Sequence, residues 1–384
     1  MRVLFTGQTG IDKKRHLEGL AAFSARKGMS VDAVYSVGDI MYEESEKAGM
    51  PVKEGKILDL PLAQLNSLRR LAFTRISYES ASTHHVFVNS HGVFRWNNKL
   101  FRAFELPELE GFNPDLIITL IDDVDAVKVR LDELKKSGSL PQDTTYSLKD
   151  IMVWREEEIL ASEMMAAVLR VPHYVLGVWL DPAVALYPME IAFNLMFEPW
   201  KKRAYISFPI SGAQARPEVW DKVMRFRAAT RTYLTAFDPL MIGENHLQGK
   251  MLRLREEHPE ARDLVCDVRG SEVNLSIQEI EAVVGDIDGQ IVARDYKLID
   301  QSEMIVAYFP RDSDGAPLIA AGVQSELEHA AASTKEVLVV WEAERDPTPF
   351  IGQKVDRSFK SIEELDGYLK SISQRPGQLE MPME

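Results

Sequence analysis

Short apolar runs alternate with amphipathic helical patterns along the first half of this sequence, and this alternation limits the possible folds more than any other feature. The run Val3–Phe5 leads directly into a glycine turn and then into a pattern with apolar residues at helical spacing (Leu17, Leu20, Ala21 and Phe23). The further runs that we predict to be strands are Ser30–Tyr35, His85–Asn89, Leu116–Ile121 and Tyr174–Val178. Trp154–Leu169 has the pattern of a helix. Strands that alternate with helices predict a parallel, doubly wound sheet in an α/β fold.

The same alternation restarts after a stretch rich in proline and aromatic residues at 179–202. Pro217–Tyr233 is predicted to be a helix with proline in its first turn, and Ser325–Ala331 a second helix. The predicted strands of this half are Ala204–Phe208, Ala236–Ile242, Met304–Tyr308 and Glu336–Trp341. A chain of 384 residues exceeds what one hydrophobic core usually fills. We therefore predict two doubly wound parallel-sheet domains, at residues 1–178 and 203–373, with a connection at 179–202 and a tail at 374–384.

Charge and cysteine content exclude several classes of protein. The formal net charge of −14 argues against binding to a nucleic acid polymer or to an anionic membrane surface. Cys266 is the single cysteine, which excludes an internal disulfide framework and is typical of a reducing cytoplasm. The first residues lack the pattern of a signal peptide, and the longest apolar stretch is too short to span a membrane. We expect a cytoplasmic homo-oligomer whose partner is a small molecule.

The segment Gly7–Lys14 lies between the first predicted strand and the first predicted helix, where a phosphate-binding loop belongs. Backbone N–H groups and the helix dipole favour anions there, and a lysine can reach the phosphates. The candidate nucleotide-binding residues are Gly7, Gly10, Lys13 and Lys14. However, Asp12 stands where the last glycine is expected, and Lys14 where a serine or threonine would bind Mg²⁺. The segment is therefore either a degenerate P-loop or an ordinary glycine-rich turn.

Four further segments accompany this loop in order along the chain: Ser36–Met41, Val88–His91, Asn113–Ile118 and Trp154–Glu158. Together they resemble archaeal-type adenylate kinases and related nucleoside monophosphate kinases over residues 1–178. The resemblance implies that the loop faces the phosphates of a donor nucleotide, with ATP and Mg²⁺ as possible cofactors. It also implies that the Ser36–Met41 and Asn89–His91 regions face the acceptor nucleotide.

The kinase resemblance also suggests a role for two arginines. Arg130 and Arg155 stand where arginines of such kinases contact phosphate. The alternative is that both lie on solvated helix faces. Because the loop departs from the P-loop pattern, a domain that binds nucleotide without transferring phosphate also remains open.

Three segments of the second half stand in the order found in one enzyme superfamily: Ala204–Gly212, Arg294–Tyr308 and Gly322–Ala330. They resemble nucleoside 2-deoxyribosyltransferases and deoxynucleoside 5′-monophosphate N-glycosidases. The resemblance implies a Rossmann-type sheet and the cleavage or transfer of an N-glycosidic bond. Such a reaction needs no cofactor and no metal.

The chemistry of that reaction explains the residue types. Breaking an N-glycosidic bond passes through an oxocarbenium-like sugar, which a carboxylate can stabilise or attack. By resemblance, Glu326 is the catalytic nucleophile and Asp295 the catalytic acid that protonates or orients the base. The implied substrate-binding residues are Tyr205, Ser207, Ser211, Gly212 and Gly322.

Structural alternatives exist for the two carboxylates and for Ser207, which could simply cap the end of its strand. Glu326 could be an acid in the first turn of a helix, stabilised by the helix dipole. Asp295 could be a surface-turn residue paired with Arg294. His84, His85 and His91 lack the cysteine or carboxylate neighbours of a metal site, so we expect no bound metal.

The leading functional hypothesis is therefore an enzyme that cleaves or exchanges the base of a nucleoside or nucleotide, with Glu326 as nucleophile. One alternative is an active nucleoside monophosphate kinase fused to a salvage domain. The other is a nucleotide sensor without catalysis.

Overall fold

The computed structural model describes residues 1–53, 56–96, 99–141, 144–178 and 187–373. The predicted tail at 374–384, and residues 179–186 of the predicted connection, lie outside the described residues. The chain forms two compact units. The first consists of Met1–Ala192 and Ile242–Gly289, and the second of Phe193–Met241 and the chain from Gln290 onward. The segment Ile242–Gly289, which falls within the second predicted domain, thus groups with the first unit.

The described strands are β1 (Arg2–Thr6), β2 (Ala33–Ser36), β3 (Val86–Asn89), β4 (Val93–Trp96), β5 (Lys99–Arg102), β6 (Leu116–Ile121), β7 (His173–Gly177), β8 (Arg203–Ser207), β9 (Thr235–Phe237), β10 (Asp263–Val268), β11 (Ser271–Ser276), β12 (Met304–Phe309), β13 (Glu336–Trp341) and β14 (Arg357–Phe359). The described helices are α1 (Lys13–Arg26), α2 (Val37–Lys47), α3 (Leu62–Glu79), α4 (Leu106–Phe112), α5 (Val124–Ser137), α6 (Leu148–Leu169), α7 (Tyr187–Phe197), α8 (Ile210–Gln214), α9 (Pro217–Tyr233), α10 (Asn245–Glu257), α11 (Ile277–Asp300), α12 (Ala321–Ala332), α13 (Pro349–Gly352) and α14 (Ile362–Ile372). Short 3₁₀ turns occupy Ile57–Asp59 and Pro239–Met241.

The first unit is built on a parallel five-stranded sheet in the order β2-β3-β1-β6-β7. All six residues of β6 are buried, as expected for a strand covered on both faces by helices. β4 pairs with β5, and β10 with β11, as separate antiparallel hairpins. β1 and β6 are neighbours whose connections lead to opposite sides of the sheet. The crevice between their carboxyl ends is the usual ligand site of such a sheet.

The second unit is built on a parallel five-stranded sheet in the order β14-β13-β12-β8-β9. β12, which is buried throughout, pairs with β8 on one side and β13 on the other. The stacked rings of Phe226 and Tyr308, 5.0 Å apart, join α9 to this sheet. Here the connections diverge between β8 and β12, so a second crevice opens at the ends of those two strands.

The predicted fold class is confirmed, since each unit is α/β and is built on a parallel five-stranded sheet. The helix Pro217–Tyr233 begins and ends as predicted. The strand predicted at Ala236–Ile242 stops at Phe237, because Pro239 opens a 3₁₀ turn and has no N–H to donate to a sheet. The predicted connection at 179–202 includes the helix α7.

No helix within the described ranges is long and apolar enough to cross a membrane.

Candidate functional site

The loop between β1 and α1 lies at the carboxyl edge of the first sheet, beside the crevice between β1 and β6. Gly7 and Gly10 both adopt positive φ angles, +145° and +91°. A Cβ on Gly7 would lie 2.6 Å from the carbonyl oxygen of Leu120, and one on Gly10 would lie 2.9 Å from Val127. Glycine is therefore required at both positions by backbone conformation and by the closeness of β6 and α5.

Lys13, the first residue of α1, is 4% exposed. Its ammonium group donates to the carbonyl oxygens of Gly7 at 2.5 Å and Gln8 at 3.4 Å. It also lies 3.3 Å from Nε2 of His91. Burial lowers the pKa of Lys13 to about 8, although the nearby Glu158 carboxylate opposes this shift. Burial and the Lys13 charge hold the pKa of His91 well below its ordinary value, so His91 is neutral beside a cationic lysine.

Glu158 of α6 fixes the other side of the loop. It is 1% exposed and accepts hydrogen bonds from the backbone N–H groups of Gly7 (2.8 Å), Gly92 (2.7 Å) and Val93 (2.9 Å). Burial raises the pKa of this carboxyl, against the effect of Lys13. The first N–H of the loop thus points at a protein carboxylate, and the loop is tied to α6.

The two residues that depart from the P-loop pattern have structural roles. The Asp12 carboxylate caps α1 and accepts a hydrogen bond from the N–H of Arg15 at 3.4 Å. Lys14 is exposed and pairs with Asp39 at 2.9 Å. Arg130 of α5 donates to the carbonyl oxygen of Gly10 and to Oδ2 of Asp122 at 2.5 Å. Arg130 therefore borders the loop. The alternative that it lies on a solvated helix face without a partner is wrong.

A cleft of about 520 Å³ opens over the loop. Its walls are formed by Thr9, Gly10, Ile11, Asp12, Lys13, Lys14, Asn89, His91, Arg130, Glu133, Leu134 and Ser137. A second cleft of about 240 Å³ shares Lys14 and Asn89 with the first and is also lined by Ser36, Asp39 and Arg75. The loop and the two acceptor regions expected from the kinase resemblance therefore line two neighbouring clefts of the first unit.

A cluster of buried charges lies just beyond β6. Asp122, fully buried, is held by Arg130 and by both terminal nitrogens of Arg269, at 2.6 and 2.7 Å. Although burial alone would raise it, these arginines hold the pKa of Asp122 below its ordinary value. Burial and the Asp122 charge raise the pKa of Asp123 to about 7. Arg155 is also buried and pairs with Glu244 at 2.6 Å, so it serves an internal ion pair and not a solvated face.

The sequence did not reveal this cluster, because Asp122 and Arg269 are 147 positions apart. The one sequence signal for the cluster is the acidic run Asp122, Asp123 and Asp125 after β6. Acidic runs usually lie on solvated surfaces, so this run did not indicate buried ion pairs.

The residues of the loop do not fit a magnesium ion held by the protein. Lys14 replaces the hydroxyl ligand, and both oxygens of Asp122 are engaged by arginines. No group of three or more His, Cys, Asp or Glu residues that could hold a metal ion occurs within the described ranges.

In the second unit, Tyr205, Ser207 and Glu326 meet at the crevice between β8 and β12. The hydroxyl groups of Tyr205 and Ser207 each donate to one carboxylate oxygen of Glu326, the first at 2.9 Å. Burial, and then the charge of Asp295, raise the pKa of Glu326 to about 7, against the effect of the two hydrogen bonds. This carboxyl can therefore hold or release a proton near neutral pH. Glu326 lies in the second turn of α12, which begins at Ala321.

Asp295 lies within α11 and is 8% exposed, so it is not a residue of a surface turn. Its carboxylate accepts two hydrogen bonds from the neighbouring Arg294, at 2.9 and 3.0 Å. Burial raises the pKa of Asp295, while Arg294 lowers it.

The other three predicted substrate-binding residues differ in environment. Ser211 in α8 is exposed, and Gly322 in the first turn of α12 is exposed with open space around it. Gly212 packs against Leu318, whose side chain would lie 3.2 Å from an added Cβ. The roles predicted for all the site residues of both units stay predictions.

Comparison with known proteins supports the first unit. The AAA domain family matches residues 20–149, which begin after the loop and include β2, β3 and β6. The first unit is therefore similar to a P-loop, kinase-like domain. No protein with a curated description matches the sequence. Among solved structures, phosphoglycerate kinase from Coxiella burnetii is 10% identical, with 97% of this chain and 96% of that chain covered and a TM-score of 0.20. A TM-score this low supports no conclusion.

The expectation that this chain is an N-glycosidase or deoxyribosyltransferase is wrong. The family match shows similarity to a P-loop kinase-like domain, a kind of domain typical of nucleotide binding and phosphoryl transfer. No comparison supports a deoxyribosyltransferase-like second half. The hydroxyl groups of Tyr205 and Ser207 do meet the Glu326 carboxylate, but no comparison supports glycosidase or transferase activity at this cluster.

Proposed function

We propose that the first unit binds the phosphate groups of a nucleotide such as ATP in the cleft over Gly7–Lys14. The observation that carries this proposal is the position of Lys13. Its buried ammonium group lies at the start of α1 and borders a cleft of about 520 Å³. A helix start with a lysine and close-packed glycines is suited to bind an anion.

Two cations would act on the ligand. The hydrogen-bond partners of Lys13 among the described residues are loop carbonyl oxygens and a neutral histidine, and the carboxylate of Glu158 lies nearby without bonding to it, so a phosphate oxygen can still use the lysine charge. Arg130 borders the same cleft but shares its charge with Asp122. We infer that Lys13 supplies most of the attraction and Arg130 a smaller part.

The experiment is a calorimetric titration of the full chain with ATP, ADP and AMP. Lys13→Met should weaken ATP binding at least about tenfold, because charge-assisted hydrogen bonds contribute roughly 1.5–3 kcal/mol. Lys136→Met, at an exposed position of the neighbouring α5, is the matched control and should bind as the wild type does. Equal ATP affinity in Lys13→Met and the wild type would refute the proposal.

A second function, phosphoryl transfer to a nucleoside monophosphate, is favoured by the neighbouring cleft that shares Lys14 and Asn89 with the first. Two adjoining clefts suit a donor and an acceptor nucleotide. Positioning and electrostatic stabilisation dominate catalysis of this reaction. Incubation with ATP, magnesium and each common monophosphate, followed by ³¹P NMR, would reveal the diphosphate product. If no diphosphate forms while ATP binds, the domain is a nucleotide-binding module only.

A further inference from the structure

Two arginines from distant parts of the sequence share the carboxylate of Asp122, which directly follows β6. Arg269, in the turn of the β10–β11 hairpin, donates from Nη1 to Oδ2 at 2.7 Å and from Nη2 to Oδ1 at 2.6 Å. Arg130 of α5 donates from Nη2 to Oδ2, at 2.5 Å. A pair in which both terminal nitrogens of an arginine bind a carboxylate is the stronger arrangement. Arg269 is therefore the main partner of this carboxylate, and Arg130 shares one of its oxygens.

The pKa of Asp122 agrees with this ranking. Burial alone would raise the pKa of this carboxyl, and the hydrogen bonds from Arg269 oppose burial more strongly than the charge of Arg130 does. The net effect lowers the pKa, so Asp122 stays ionised. The hairpin arginine thus contributes more than the α5 arginine to holding this buried charge.

Arg130 is the member of the group that reaches the ligand cleft. It lines the cleft of about 520 Å³ over the phosphate loop, and its Nε donates to the carbonyl oxygen of Gly10. Arg269 is not among the described residues that line this cleft. An effect of Arg269 on a ligand in the cleft must therefore pass through Asp122 and Arg130.

The charges around Asp122 show what Arg269 changes. Two guanidinium groups face the ionised Asp122, while Asp123 is only partly ionised near neutral pH because burial raises its pKa to about 7. His16, which also lies near Asp122, adds no charge, because burial lowers its pKa to about 4. Without Arg269, Arg130 would be the remaining arginine on the Asp122 carboxylate among the described residues. That carboxylate would then neutralise Arg130 and leave less positive charge at the cleft.

The backbone at Arg269 is consistent with a role beyond closing the hairpin. Its φ angle of +56° lies in the left-handed region, which is unfavourable for a residue with a long side chain. Asn-Gly or Asp-Gly is the usual choice for a two-residue turn of this kind. Residues in such strained conformations persist where the surrounding structure holds them, and they often lie at functional sites.

We propose that Arg269 is a positioning residue for the anion cleft: it holds Asp122 and thereby leaves part of the charge of Arg130 available to a phosphate group over the loop. The inference rests on the proposed function for the identity of the anion. The segment Ile242–Gly289, which contains Arg269, thus controls a cleft through a residue that does not line it.

The first test is calorimetric binding of ATP and of inorganic tripolyphosphate to the full chain. Arg269→Asn should weaken binding of both about three- to tenfold, because Asp122 then takes the charge-assisted hydrogen bonds of Arg130 for itself. In the Arg130→Gln background the same substitution should change neither affinity, whereas a purely structural role would act in both backgrounds. Arg255→Asn, which breaks an exposed pair with Glu281 in the same segment, is the matched control and should bind as the wild type does.

A second variant protects the test against a folding defect in Arg269→Asn. Arg269→Lys keeps a positive charge beside Asp122 but loses the two-nitrogen contact. Its affinity for tripolyphosphate should lie between those of the wild type and Arg269→Asn.

A second measurement needs no ligand and therefore separates this inference from the proposed function. Phenylglyoxal modifies accessible arginine side chains, and mass spectrometry follows the adduct on Arg130. Arg130 should react about three- to tenfold more slowly in Arg269→Asn than in the wild type, because both oxygens of Asp122 can then hold its guanidinium group. Arg269→Lys should give an intermediate rate.

Three results would overturn the inference: an unchanged ATP affinity in Arg269→Asn, an unchanged labelling rate of Arg130 in that variant, or an equal loss of affinity in the Arg130→Gln background. If the wild type binds neither ATP nor tripolyphosphate, the proposed function fails. Slower labelling of Arg130 in Arg269→Asn would still support the control of Arg130 by Arg269.

Discussion

Lys13 shows how burial sets the working range of a charged residue. Its pKa is lowered to about 8 from 10.5 by burial, so the ammonium form begins to disappear just above neutral pH. A phosphate ligand attracts only the protonated form. Affinity for ATP should therefore begin to fall just above neutral pH and, above about pH 8, approach a loss of about tenfold per pH unit.

The measurement is a series of ATP titrations between pH 7 and 9.5. Lys13→Arg is the informative variant, because arginine remains charged throughout this range. It should lose the pH dependence if it binds ATP. A wild-type affinity that stays flat to pH 9.5 would contradict the assigned role of Lys13.

The pKa of Glu326 shifts in the opposite direction to that of Lys13. Its pKa is raised from 4.5 to about 7, so the folded state holds this proton more tightly than the unfolded state does. The protonated Glu326 carboxyl therefore stabilises the folded state. This contribution is fully present below about pH 4.5 and is lost as the pH rises to about 7. Glu326→Gln removes the titration. The variant should gain about 2–3 kcal/mol relative to the wild type at pH 8 compared with pH 4.5, since each pKa unit corresponds to about 1.4 kcal/mol.

Urea unfolding of both proteins at the two pH values provides the measurement. The same difference in unfolding free energy at pH 4.5 and pH 8 would show that the Glu326 carboxyl titrates normally.

At the scale of secondary-structure elements and the loops between them, the glycine loop after β1 allows the cost of backbone strain to be compared with the cost of a steric clash. Gly7 and Gly28 both have positive φ angles, but only Gly7 has an atom close to where a Cβ would lie. Gly28→Ala should cost only the conformational strain, about 1–2 kcal/mol. Gly7→Ala adds a clash with the backbone of β6 and should cost about 2–4 kcal/mol in total. Equal costs in thermal or chemical unfolding would show that the loop can move away from β6.

The β10–β11 hairpin is the element that sequence reasoning missed most completely. Its two-residue turn is Arg269-Gly270, both with positive φ, whereas the usual signal for such a turn is Asn-Gly or Asp-Gly. Arginine occupies this unfavourable conformation while its side chain binds Asp122. A contact between distant residues thus decides the turn, and no local pattern reveals it.

Arg269→Asn tests that explanation, because asparagine tolerates the left-handed conformation but cannot reach Asp122 in the same way. We expect a loss of about 2–3 kcal/mol, below the usual cost of breaking a buried pair because Arg130 still holds Asp122. The control is Arg255→Asn, which breaks an exposed pair with Glu281 and should cost less than about 1 kcal/mol. A loss no larger than that of the control would refute the role of the Asp122 pair.

Across the whole molecule, the periodic strands and helices of both sheets were predictable, since buried strands such as β6 and β12 are continuous apolar runs. The loop Gly7–Lys14 was predictable as well, because its place between a strand and a helix is a local feature. The buried charges at Asp122 were not, because they depend on residues that are far apart in the sequence and become neighbours only in the folded unit.

The association of Ile242–Gly289 with the first unit has the same cause. Buried pairs such as Arg155 with Glu244, which are 89 positions apart in the sequence, connect this segment to the rest of the first unit.

The central claim is that nucleotide binds at the loop of the first sheet and not at the carboxyl cluster of the second. Hydrogen–deuterium exchange of the full chain with and without ATP measures this directly, because amides near the ligand exchange more slowly. The account predicts slower exchange in peptides covering Gly7–Lys14 and the start of α5, with no change in β8 or α12. Slower exchange confined to β8 and α12, around Glu326, would contradict it.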